Sequence, residues 1–561
     1  MSSESRAKRF CEEITRGKGE RMSQGNFHEK IQDKLQDAIQ LSDENVLRLE
    51  KGKRGLLNVL FGRTTVILLM MLVQIGIVVA GYQWLEQYMT YFYIFSTVVA
   101  LCVGLHILNK AGDPTVKLTW MIIVMAMPVF GGALYLWIQN DIGHRLLHKR
   151  LDTIINSTKE YLNTDPDVSE KLREEEPELY ALSVYMDAFG GYPVYEGCRV
   201  KYFPQGEDKF DDLLIELEKA REFIFLEYFI VDEGYMWGRI LEILSRKVQE
   251  GVEVRVMYDG TCALYKLPYN YPKKLQALGI KCKMFAPIRP AVSTHYNNRD
   301  HRKILVIDGQ TAYTGGVNLA DEYINRRTLY GHWKDTAVKV QGEAAKSFTL
   351  MFLQMWNVDE RVEQYDKYLS RDYRVLPLQK GYVLPYGDSP VDHERVGEMV
   401  YEDILNRAER HVHIMTPYLI LDNEMITALT FAAKRGVEVQ IILPHIPDKE
   451  YAFALAKTYY KQLMAAGVEI YEYLPGFVHA KVFTSDNKKA VVGTINLDYR
   501  SLYHHFECGL YMQDVEEIDA IERDFRLTRS KCKKMTVEDL RKEKVTRRLM
   551  GLLLKVVAPL M

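Results

Sequence analysis

The chain has 561 residues, a formal net charge of −2 and a sequence pI near 6.7, and 47% of its residues are hydrophobic. This length exceeds one ordinary domain and predicts two or three units. The near-neutral charge gives no basic surface of the kind that nucleic-acid-binding proteins use, so we expect no nucleic-acid partner. The seven cysteines are odd in number and include no C-x-x-C pair, which is typical of buried thiols and not of a disulfide framework.

The N-terminal region is charged at first and then strongly apolar. Residues 1–63 form a charged extension with no signal-peptide run, and their pattern favours a solvated tail with one amphipathic helix. Residues 64–140 contain three apolar segments without Asp, Glu, Lys or Arg, which predict transmembrane helices at about 64–84, 90–108 and 118–138. Each segment is close to the length that crosses a hydrocarbon core of ~30 Å. The sequence therefore predicts an all-α transmembrane region in a multi-pass integral membrane protein.

The charges beside these segments leave the topology open. Basic residues before the first and third segments favour a cytoplasmic N-terminus and a cytoplasmic second loop. Three complete spans would place the rest of the chain outside. Basic residues after the third segment favour the inside instead: Arg145, Lys149 and Arg150. Either the third segment, interrupted at Pro128, is re-entrant, or this last group of charges is overruled.

From about residue 174 the chain has the pattern of a soluble α/β domain, and that pattern occurs twice. Residues 223–233 match residues 413–424, and each segment is followed by a helical pattern and a strand that begins GVEV. The sequence therefore predicts a duplicated unit with halves at 174–375 and 376–540. We expect two β-sheets flanked by helices, which meet at a seam.

One motif, H-x-K-x4-D-x6-G-x2-N, occurs once in each half without an insertion. The copies are HRKILVIDGQTAYTGGVN and HAKVFTSDNKKAVVGTIN. Two copies in register within one chain are hard to obtain by chance. Their members are His301, Lys303, Asp308, Gly315 and Asn318 in the first, and His479, Lys481, Asp486, Gly493 and Asn496 in the second.

The motif residues suit the chemistry of a phosphodiester. His and Lys lie two residues apart in a predicted strand and so share a face, while the Asp is expected to brace a loop or the facing strand. Two facing copies would enclose two imidazoles, two ammonium groups and two amides around an anionic phosphate. One neutral imidazole can attack phosphorus while the other donates a proton and later accepts one. Fixed positive charge stabilises the phosphate oxygens, so we expect no metal and no cofactor.

A nucleophilic imidazole needs its second nitrogen held in one tautomer, usually by a carboxylate. Two candidates follow the motifs, Asp335 in GHWKD and Glu507 in HFECG. We pair Asp335 with His301 and Glu507 with His479, each within its own half. Asn318 is expected to bind phosphate oxygens in the first half, as is Asn496 in the second.

Two other interpretations of the histidines are weaker. Buried structural histidines would explain one copy of the motif, but two copies in register are poorly explained in this way. Zinc bound by His504, His505 and Cys508 would need a second Cys or His pair at ligand spacing, which the sequence lacks.

The C-terminal residues 541–561 predict an amphipathic helix. Cations at Arg547, Arg548 and Lys555 alternate with leucine and valine. Such a helix either lies at a membrane surface or packs on the α/β domain.

These motifs resemble the phospholipase D superfamily with two H-K-D motifs. The sequence from about residue 109 onward, with NRDHRKILVIDG, TGGVNLADEY and HWKDTAV, looks like the bacterial cardiolipin synthases. The resemblance implies pseudo-two-fold symmetry, a phosphohistidine intermediate and no metal. It also implies His301 as nucleophile, His479 as acid, and catalytic roles for the remaining H-K-D residues: Lys303, Asp308, Lys481 and Asp486. The sequence departs from many members at Gly316, where they have Ser or Thr; the second copy has Thr494.

The implied reaction is phosphatidyl transfer between two phosphatidylglycerols at a bacterial cell membrane, giving cardiolipin and glycerol. Other readings of the same pattern stay open. A membrane-bound hydrolytic phospholipase D or another phosphatidyltransferase would use the same residues with a different acceptor. A tethered nuclease is disfavoured by the charge, and a non-catalytic lipid scaffold would not need the histidines.

Overall fold

The computed structural model describes Gly76 and residues 88–139, 142–287, 298–360, 364–370, 379–392 and 394–560. The predicted extension at 1–63 lies outside the described residues, as does the predicted helix at 64–84 apart from Gly76. The described chain begins with a group of apolar helices and continues into two α/β halves.

The first described helix, α1 (Met89–Asn109), confirms the helix predicted at 90–108. Its 21 residues extend about 32 Å at the α-helical rise per residue. Within the described residues it is the one helix that is both long and apolar enough to cross a membrane. Most of its apolar side chains face away from the rest of the described chain.

The single helix predicted at 118–138 is wrong. The structure has two short helices, α2 (Pro114–Ala126) and α3 (Pro128–Gln139), separated at Met127. Pro128 has no backbone N–H, and its ring disfavours a helical conformation at the preceding residue, so the first helix ends there. The apolar pattern is continuous across this break, so hydrophobicity alone predicts one helix; the interruption at Pro128 had left a re-entrant segment as the alternative.

The two short helices form a tight hairpin. The rings of Trp120 and Tyr135 lie 5.3 Å apart, whereas fifteen residues of straight helix span about 22 Å. A Cβ atom at Gly131 would lie 2.7 Å from the Ile123 carbonyl oxygen, so the close approach requires glycine. Each arm is about 20 Å long or less, which is shorter than a hydrocarbon core of ~30 Å.

Three helices connect the hairpin to the sheets. They are α4 (Ile142–Thr158), α5 (Pro166–Glu175) and α6 (Pro177–Tyr185), the last of which continues into a π-helical turn. Leu151 and Ile154 of α4 are buried in the same apolar cluster as the sheets. Helix α4 therefore packs directly on the α/β region.

The first half alternates strands with helices. Its strands are β1 (Tyr195–Glu196), β2 (Arg199–Phe203), β3 (Phe223–Tyr228), β4 (Glu253–Asp259), β5 (Lys281–Phe285), β6 (Arg299–Asp300), β7 (Lys303–Ile307), β8 (Thr311–Gly315), β9 (His332–Lys334) and β10 (Ala337–Gln341). Its helices are α7 (Gly206–Glu218), α8 (Tyr235–Gln249), α9 (Cys262–Tyr265), α10 (Tyr271–Ala277), α11 (Ala345–Trp356) and α12 (Asp366–Leu369).

The second half follows the same plan. Its strands are β11 (Tyr382–Asp388), β12 (His411–Met415), β13 (Leu419–Ile420), β14 (Glu438–Pro444), β15 (Glu469–Tyr473), β16 (Gly476–Val478), β17 (Val482–Ser485), β18 (Lys489–Gly493), β19 (Leu497–Asp498), β20 (His505–Gln513) and β21 (Cys532–Lys534). Its helices are α13 (Val396–Arg407), α14 (Asn423–Lys434), α15 (Glu450–Ala465), α16 (Tyr499–Tyr503), α17 (Glu517–Arg529), α18 (Val537–Lys542) and α19 (Val545–Val557).

The two main sheets repeat one strand order. The first is β2-β10-β8-β7-β3-β4-β5, and the second contains β11-β20-β18-β17-β12-β14-β15 with β1 and β21 at its edges. In both, the strand that carries the motif pairs antiparallel with the first strand of the parallel set. The predicted α/β class is confirmed.

The two sheets pack face to face. Phe225 and Val306 of the first sheet share an apolar cluster with Val482 and Val492 of the second. Leu226, whose side chain points to the opposite face of β3, packs in a different cluster, with the helices that cover the first sheet. Both faces of the central strands are thus covered, which explains why β3 is buried along its whole length.

Two small parallel ladders cross the seam between the halves. Strand β6, which leads to His301, pairs with the start of β20, so that Asp300 lies opposite Phe506. Strand β16, which leads to His479, pairs with β9, so that Val478 lies opposite Lys334. Each motif histidine is therefore positioned by a strand of the other half.

The last helix, α19, packs on α15 with one side. Gly551 is buried there, and a Cβ atom at this position would lie 2.4 Å from the Ala454 carbonyl oxygen. The Thr119 hydroxyl of α2 donates a 2.8 Å hydrogen bond to the Val556 carbonyl, so α19 also touches the apolar hairpin. Its other side exposes three leucines: Leu549, Leu552 and Leu553.

Candidate active site

Each motif histidine lies just before a strand and not within it. His301 precedes β7, which begins at Lys303, and His479 precedes β17 by three residues. The backbone N–H of His301 donates to the Phe506 carbonyl at 2.9 Å, and that of His479 donates to the Lys334 carbonyl at 2.7 Å. The predicted placement of both histidines inside the motif strands is wrong, because these bonds extend the cross-seam ladders.

The histidine–carboxylate pairs also cross the seam. Nδ1 of His301 lies 2.9 Å from both carboxylate oxygens of Glu507, and Nδ1 of His479 lies 2.7 Å from Oδ2 of Asp335. The predicted pairing of Asp335 with His301 and of Glu507 with His479 is therefore wrong. The ladders explain the exchange, because β6 brings His301 beside β20, which carries Glu507, and β16 brings His479 beside β9, which leads to Asp335.

The two carboxylates are supported differently. Glu507 accepts a short hydrogen bond from the Thr494 hydroxyl. The equivalent position in the first half is Gly316, where a Cβ atom would lie 1.9 Å from Oδ1 of Asp335. The missing hydroxyl at Gly316 thus has a steric reason, since Asp335 occupies the space that a side chain there would need.

The charges of the two motifs act on each other. Burial lowers the pKa of Lys481 to about 7 and that of Lys303 to about 8. The positive charge of Lys303, in the first motif, further lowers the pKa of Lys481 in the second. The side chains of Thr314 and Cys508 also meet across the seam, with Oγ1 3.3 Å from Sγ. The structure therefore brings the two motifs together.

Both imidazoles are held in the neutral form. Burial lowers the pKa of His301 well below its ordinary value, although the charge of Glu507 acts in the opposite direction. Burial and the charge of Lys481 lower the pKa of His479 to about 4. Burial alone would raise the pKa of Glu507, but the electrostatic interaction and hydrogen bond with the His301 imidazole outweigh burial and keep that pKa below its ordinary value. Glu507 is thus an ionised acceptor for the Nδ1–H of His301, which leaves Nε2 unprotonated.

The two motif asparagines differ in their contacts. Oδ1 of Asn318 accepts from the Ile230 N–H at 3.0 Å, and Nδ2 donates to the Tyr323 hydroxyl at 2.8 Å. Oδ1 of Asn496 is buried and has no hydrogen-bond partner among the described residues. Asn318 therefore has one amide hydrogen left for a phosphate oxygen, whereas the Asn496 side chain makes fewer hydrogen bonds to the protein.

The motif aspartates brace the backbone away from the histidines. The carboxylate of Asp308 accepts from three consecutive N–H groups at residues 221–223, at distances of 2.8–2.9 Å. Asp486 accepts in the same way from residues 409–411. Both residues have a positive φ, near +51° and +56°, and each closes the turn after its motif strand. They act through the fold, as the bracing prediction states, and contact neither histidine, so their contacts do not support the catalytic role that the resemblance implies for them.

Several nearby residues had no signal in the motif. The ring of Phe229 lies 4.9 Å from that of His301, and the ring of Trp333 lies 5.4 Å from that of His479. Lys209 of α7 is buried, and burial lowers its pKa to about 7. Its ammonium group donates to the Tyr228 hydroxyl and to a backbone carbonyl, both at 3.2 Å. The H-x-K-x4-D-x6-G-x2-N motif could not indicate these residues, because all three lie outside its spacing.

Two groups of side chains among the described residues could ligate a cation. His301, His505 and Glu507 offer ligand atoms within 4.8 Å of one another, and His411, His413 and Glu522 form a second group. The zinc site considered from the sequence shares only His505 with the first group. Its Cys508 points instead toward Thr314, and its His504 lies beside the C-terminal 3₁₀ turn.

This geometry gives a prediction about metals. Strong chelators are expected to leave phosphoryl transfer at this site unchanged, because fixed lysines supply the positive charge. Added Zn²⁺ is expected to inhibit, since it would bind His301 and Glu507 together with His505. The measurement is the initial rate with chelator, and then with increasing free zinc, for the wild type and for His505→Ala. Loss of activity on chelation that zinc or magnesium restores would contradict the prediction.

Comparisons with known proteins find relatives that cover most of this chain. The family model described as "Cardiolipin synthase, PLD-like domain" matches residues 213–356 and 401–528. A cardiolipin synthase of Geobacillus kaustophilus is 32% identical over 446 residues, which are 79% of this chain and 88% of the relative. Cardiolipin synthase 2 of Bacillus anthracis is 31% identical over 83% of this chain and 90% of its own length. An uncharacterised protein of Streptococcus mutans is 52% identical over 82% of this chain and 99% of its own length.

The fold and the paired motifs define a phosphatidyltransferase of the phospholipase D class. The chain belongs to the cardiolipin synthase family. The resemblance seen in the sequence is thereby confirmed, and so is the assignment of the chain as an enzyme that acts on phospholipids.

Proposed function

We propose that this enzyme transfers the phosphatidyl group of one phosphatidylglycerol to a second, giving cardiolipin and glycerol through a phosphohistidine. One observation carries the proposal: two buried imidazoles, each oriented by a carboxylate of the other half, lie beside two ammonium groups. The equal strand orders support pseudo-two-fold symmetry between the halves. Under that symmetry both histidines present Nε2 to one phosphorus atom.

In the first step, Nε2 of His301 attacks phosphorus and the bond from phosphorus to the glycerol oxygen breaks. Protonated His479 gives its Nε2 proton to that oxygen, and glycerol leaves. The phosphodiester anion supplies the negative charge that raises the pKa of His479 from its low value in the free site. Lys303 and Lys481 hold the non-bridging oxygens, with Asn318 and Asn496 as amide donors. The ionised Glu507, supported by Thr494, favours His301 as the nucleophile.

In the second step, the neutral His479 accepts the proton of the terminal hydroxyl of the second phosphatidylglycerol. The hydroxyl oxygen attacks phosphorus, the phosphorus–nitrogen bond breaks, and His301 leaves unmodified. Water at this point would give phosphatidic acid. A lipid acceptor that arrives laterally in the bilayer has a high effective concentration and competes well with water.

We also propose a multi-pass arrangement in the membrane. Helix α1 and the predicted segment at 64–84 would span, while the α2–α3 hairpin would enter and leave on one side. The α/β halves would then lie in the cytoplasm, in agreement with the basic residues after the hairpin. The hairpin is continuous with the catalytic region, since the side chain of Asp113 contacts the Tyr503 hydroxyl two residues before His505.

Product analysis tests the reaction. The purified full chain is incubated with phosphatidylglycerol as the sole lipid, and lipids and glycerol are quantified. Equal amounts of cardiolipin and glycerol are expected. Phosphatidic acid as the main product would identify a hydrolase instead. If neither the wild type nor the His301→Ala variant converts the lipid, only a non-catalytic role would remain.

The lysine environment gives a prediction about pH. Lys481 and Lys303, with pKa values of about 7 and about 8, are charged below these values and lose their charge above them. Phosphate binding should therefore weaken as pH rises, with KM for phosphatidylglycerol increasing roughly tenfold from about pH 7 to pH 9. Protonation of the nucleophilic histidine gives the acidic limb of a bell-shaped profile. Lys481→Arg, which stays charged, is expected to flatten the alkaline rise in KM; an unchanged rise would contradict the assignment.

A further inference from the structure

A basic cavity lies between α15, α18 and α19, and neither motif histidine lines it. Its volume is about 360 Å³. Five cationic side chains and one carboxylate contribute to its lining: Lys457, Lys461, Arg541, Glu543, Arg547 and Arg548. The cavity therefore carries an excess of positive charge, which suits an anionic group.

Only part of this charge is neutralised by the protein. Lys457 pairs with Glu472 and lies 3.4 Å from Glu543, and Arg547 lies 3.1 Å from both Glu543 and Glu450. The other three cations are exposed, and their side chains form no ion pair with a carboxylate of the described chain: Lys461, Arg541 and Arg548. These three are available to a ligand from outside.

An exposed apolar stripe borders the cavity. It follows one side of α19 at helical spacing and comprises Val545, Leu549, Leu552, Leu553 and Val556. The three leucines are between 56% and 65% exposed, although each is a large apolar side chain. Leu552 belongs both to this stripe and to the cavity lining. A ligand that fills the cavity with an anion would thus have apolar surface beside it.

The position of α19 indicates what covers this surface. The hydrogen bond from Thr119 to Val556 ties α19 to the apolar α2–α3 hairpin, which we place in the membrane. A basic helix with an exposed leucine face is the pattern of a helix that lies among lipid headgroups. A soluble anion would need the cations but not the leucines.

We propose that the cavity binds the phosphate of an anionic phospholipid while the leucines of α19 enter the headgroup region of the same leaflet. This site would hold the α/β halves against the membrane at a fixed orientation. The inference rests on the proposed membrane location. It does not rest on the roles of the histidines or on the identity of the acceptor.

Hydrogen exchange on the full chain in nanodiscs tests the proposal. The probe lipid is phosphatidic acid, which has no leaving alcohol and cannot serve as a donor at the catalytic site. Adding it to phosphatidylcholine nanodiscs is expected to slow amide exchange in residues 545–557 at least fivefold, because about 1 kcal/mol per cation is available at an anionic surface. The variant Lys461→Gln/Arg541→Gln/Arg548→Gln should show no such slowing.

A charge-matched control separates this site from general attraction to the bilayer. Lys273, Arg173 and Arg523 are exposed cations outside the cavity, and changing all three to Gln removes the same charge. Slowing retained in this control and lost in the cavity variant supports the site. Equal slowing in both variants would overturn it, as would slowing by inorganic phosphate alone, which would indicate a free-anion site. Turnover of a soluble short-chain phosphatidylglycerol, measured in parallel, should be the same in the cavity variant as in the wild type. If the wild type itself shows no turnover, that result counts against the proposed reaction and not against this site.

Discussion

Replacing His301 with alanine is expected to abolish the covalent phosphatidyl-enzyme and to lower phosphatidylglycerol turnover by at least about 10⁴-fold. The reason is that Glu507, which Thr494 also supports, holds Nδ1 of His301 with both carboxylate oxygens and leaves Nε2 free to attack phosphorus. The measurement is transfer of label from ³²P-phosphatidylglycerol to protein, after acid-free denaturation that preserves the phosphorus–nitrogen bond.

The His479→Ala variant provides the matched control. Its turnover of phosphatidylglycerol should also fall, because glycerol leaves poorly without an acid. A phosphatidyl ester of p-nitrophenol needs no acid, so His479→Ala should release one equivalent of p-nitrophenol and then stop with label on His301. A burst from His301→Ala, with label on His479, would reverse the two assignments.

Replacing Glu507 with glutamine is expected to slow that p-nitrophenol burst by roughly 10²–10⁴-fold, since His301 would lose the anion that fixes its tautomer. Asp335→Asn should leave the burst close to the wild-type rate and slow the later transfer to the acceptor, because Asp335 contacts the acid–base His479. Stopped-flow absorbance gives the first step, and the rate of cardiolipin formation gives the second.

These two variants separate the crossed arrangement from pairing within each half. If carboxylates served the histidine of their own half, Asp335→Asn would remove the burst and Glu507→Gln would spare it. Both substitutions keep the size of the side chain, and circular dichroism and thermal unfolding show whether each variant keeps its fold.

The sequence predicted the type of chemistry more completely than it predicted which residues contact each other. Periodicity and the duplicated motif indicated the α/β halves and the convergence of His301 and His479. A sequence repeat within one chain predicts two similar halves, whose equivalent residues can then face each other. The partners of these histidines could not be read in the same way. Glu507 follows His479 by 28 positions and Asp335 follows His301 by 34, so distance along the chain favoured the wrong pairs. Only the short ladders at β6 and β16 reveal the exchange, and two- or three-residue strands leave no periodic signal.

The same limit explains the error in the apolar region. Residues 118–138 have the composition of one membrane-spanning helix. Composition measures the hydrophobicity of a segment, but it does not show where the backbone reverses direction. The turn at Met127 depends on Pro128, which the sequence shows, and on the close approach of Gly131 to Ile123, which is a contact in space. The exposed leucines of α19 were visible as a pattern, but the neighbouring cavity required α15 and α18 to meet that helix.

The exchanged strands make the two halves mutually dependent for function. A half produced alone would retain its imidazole and lysine but would lack the carboxylate that orients that imidazole. Splitting the chain should therefore give two inactive fragments that restore activity when they are co-expressed. Joining both copies in a single polypeptide also freed them to diverge. Thr494 and Gly316 occupy equivalent positions, but Thr494 donates to Glu507 whereas Gly316 leaves space for Asp335. Two identical subunits would carry the same residue at this position and could not differ in this way.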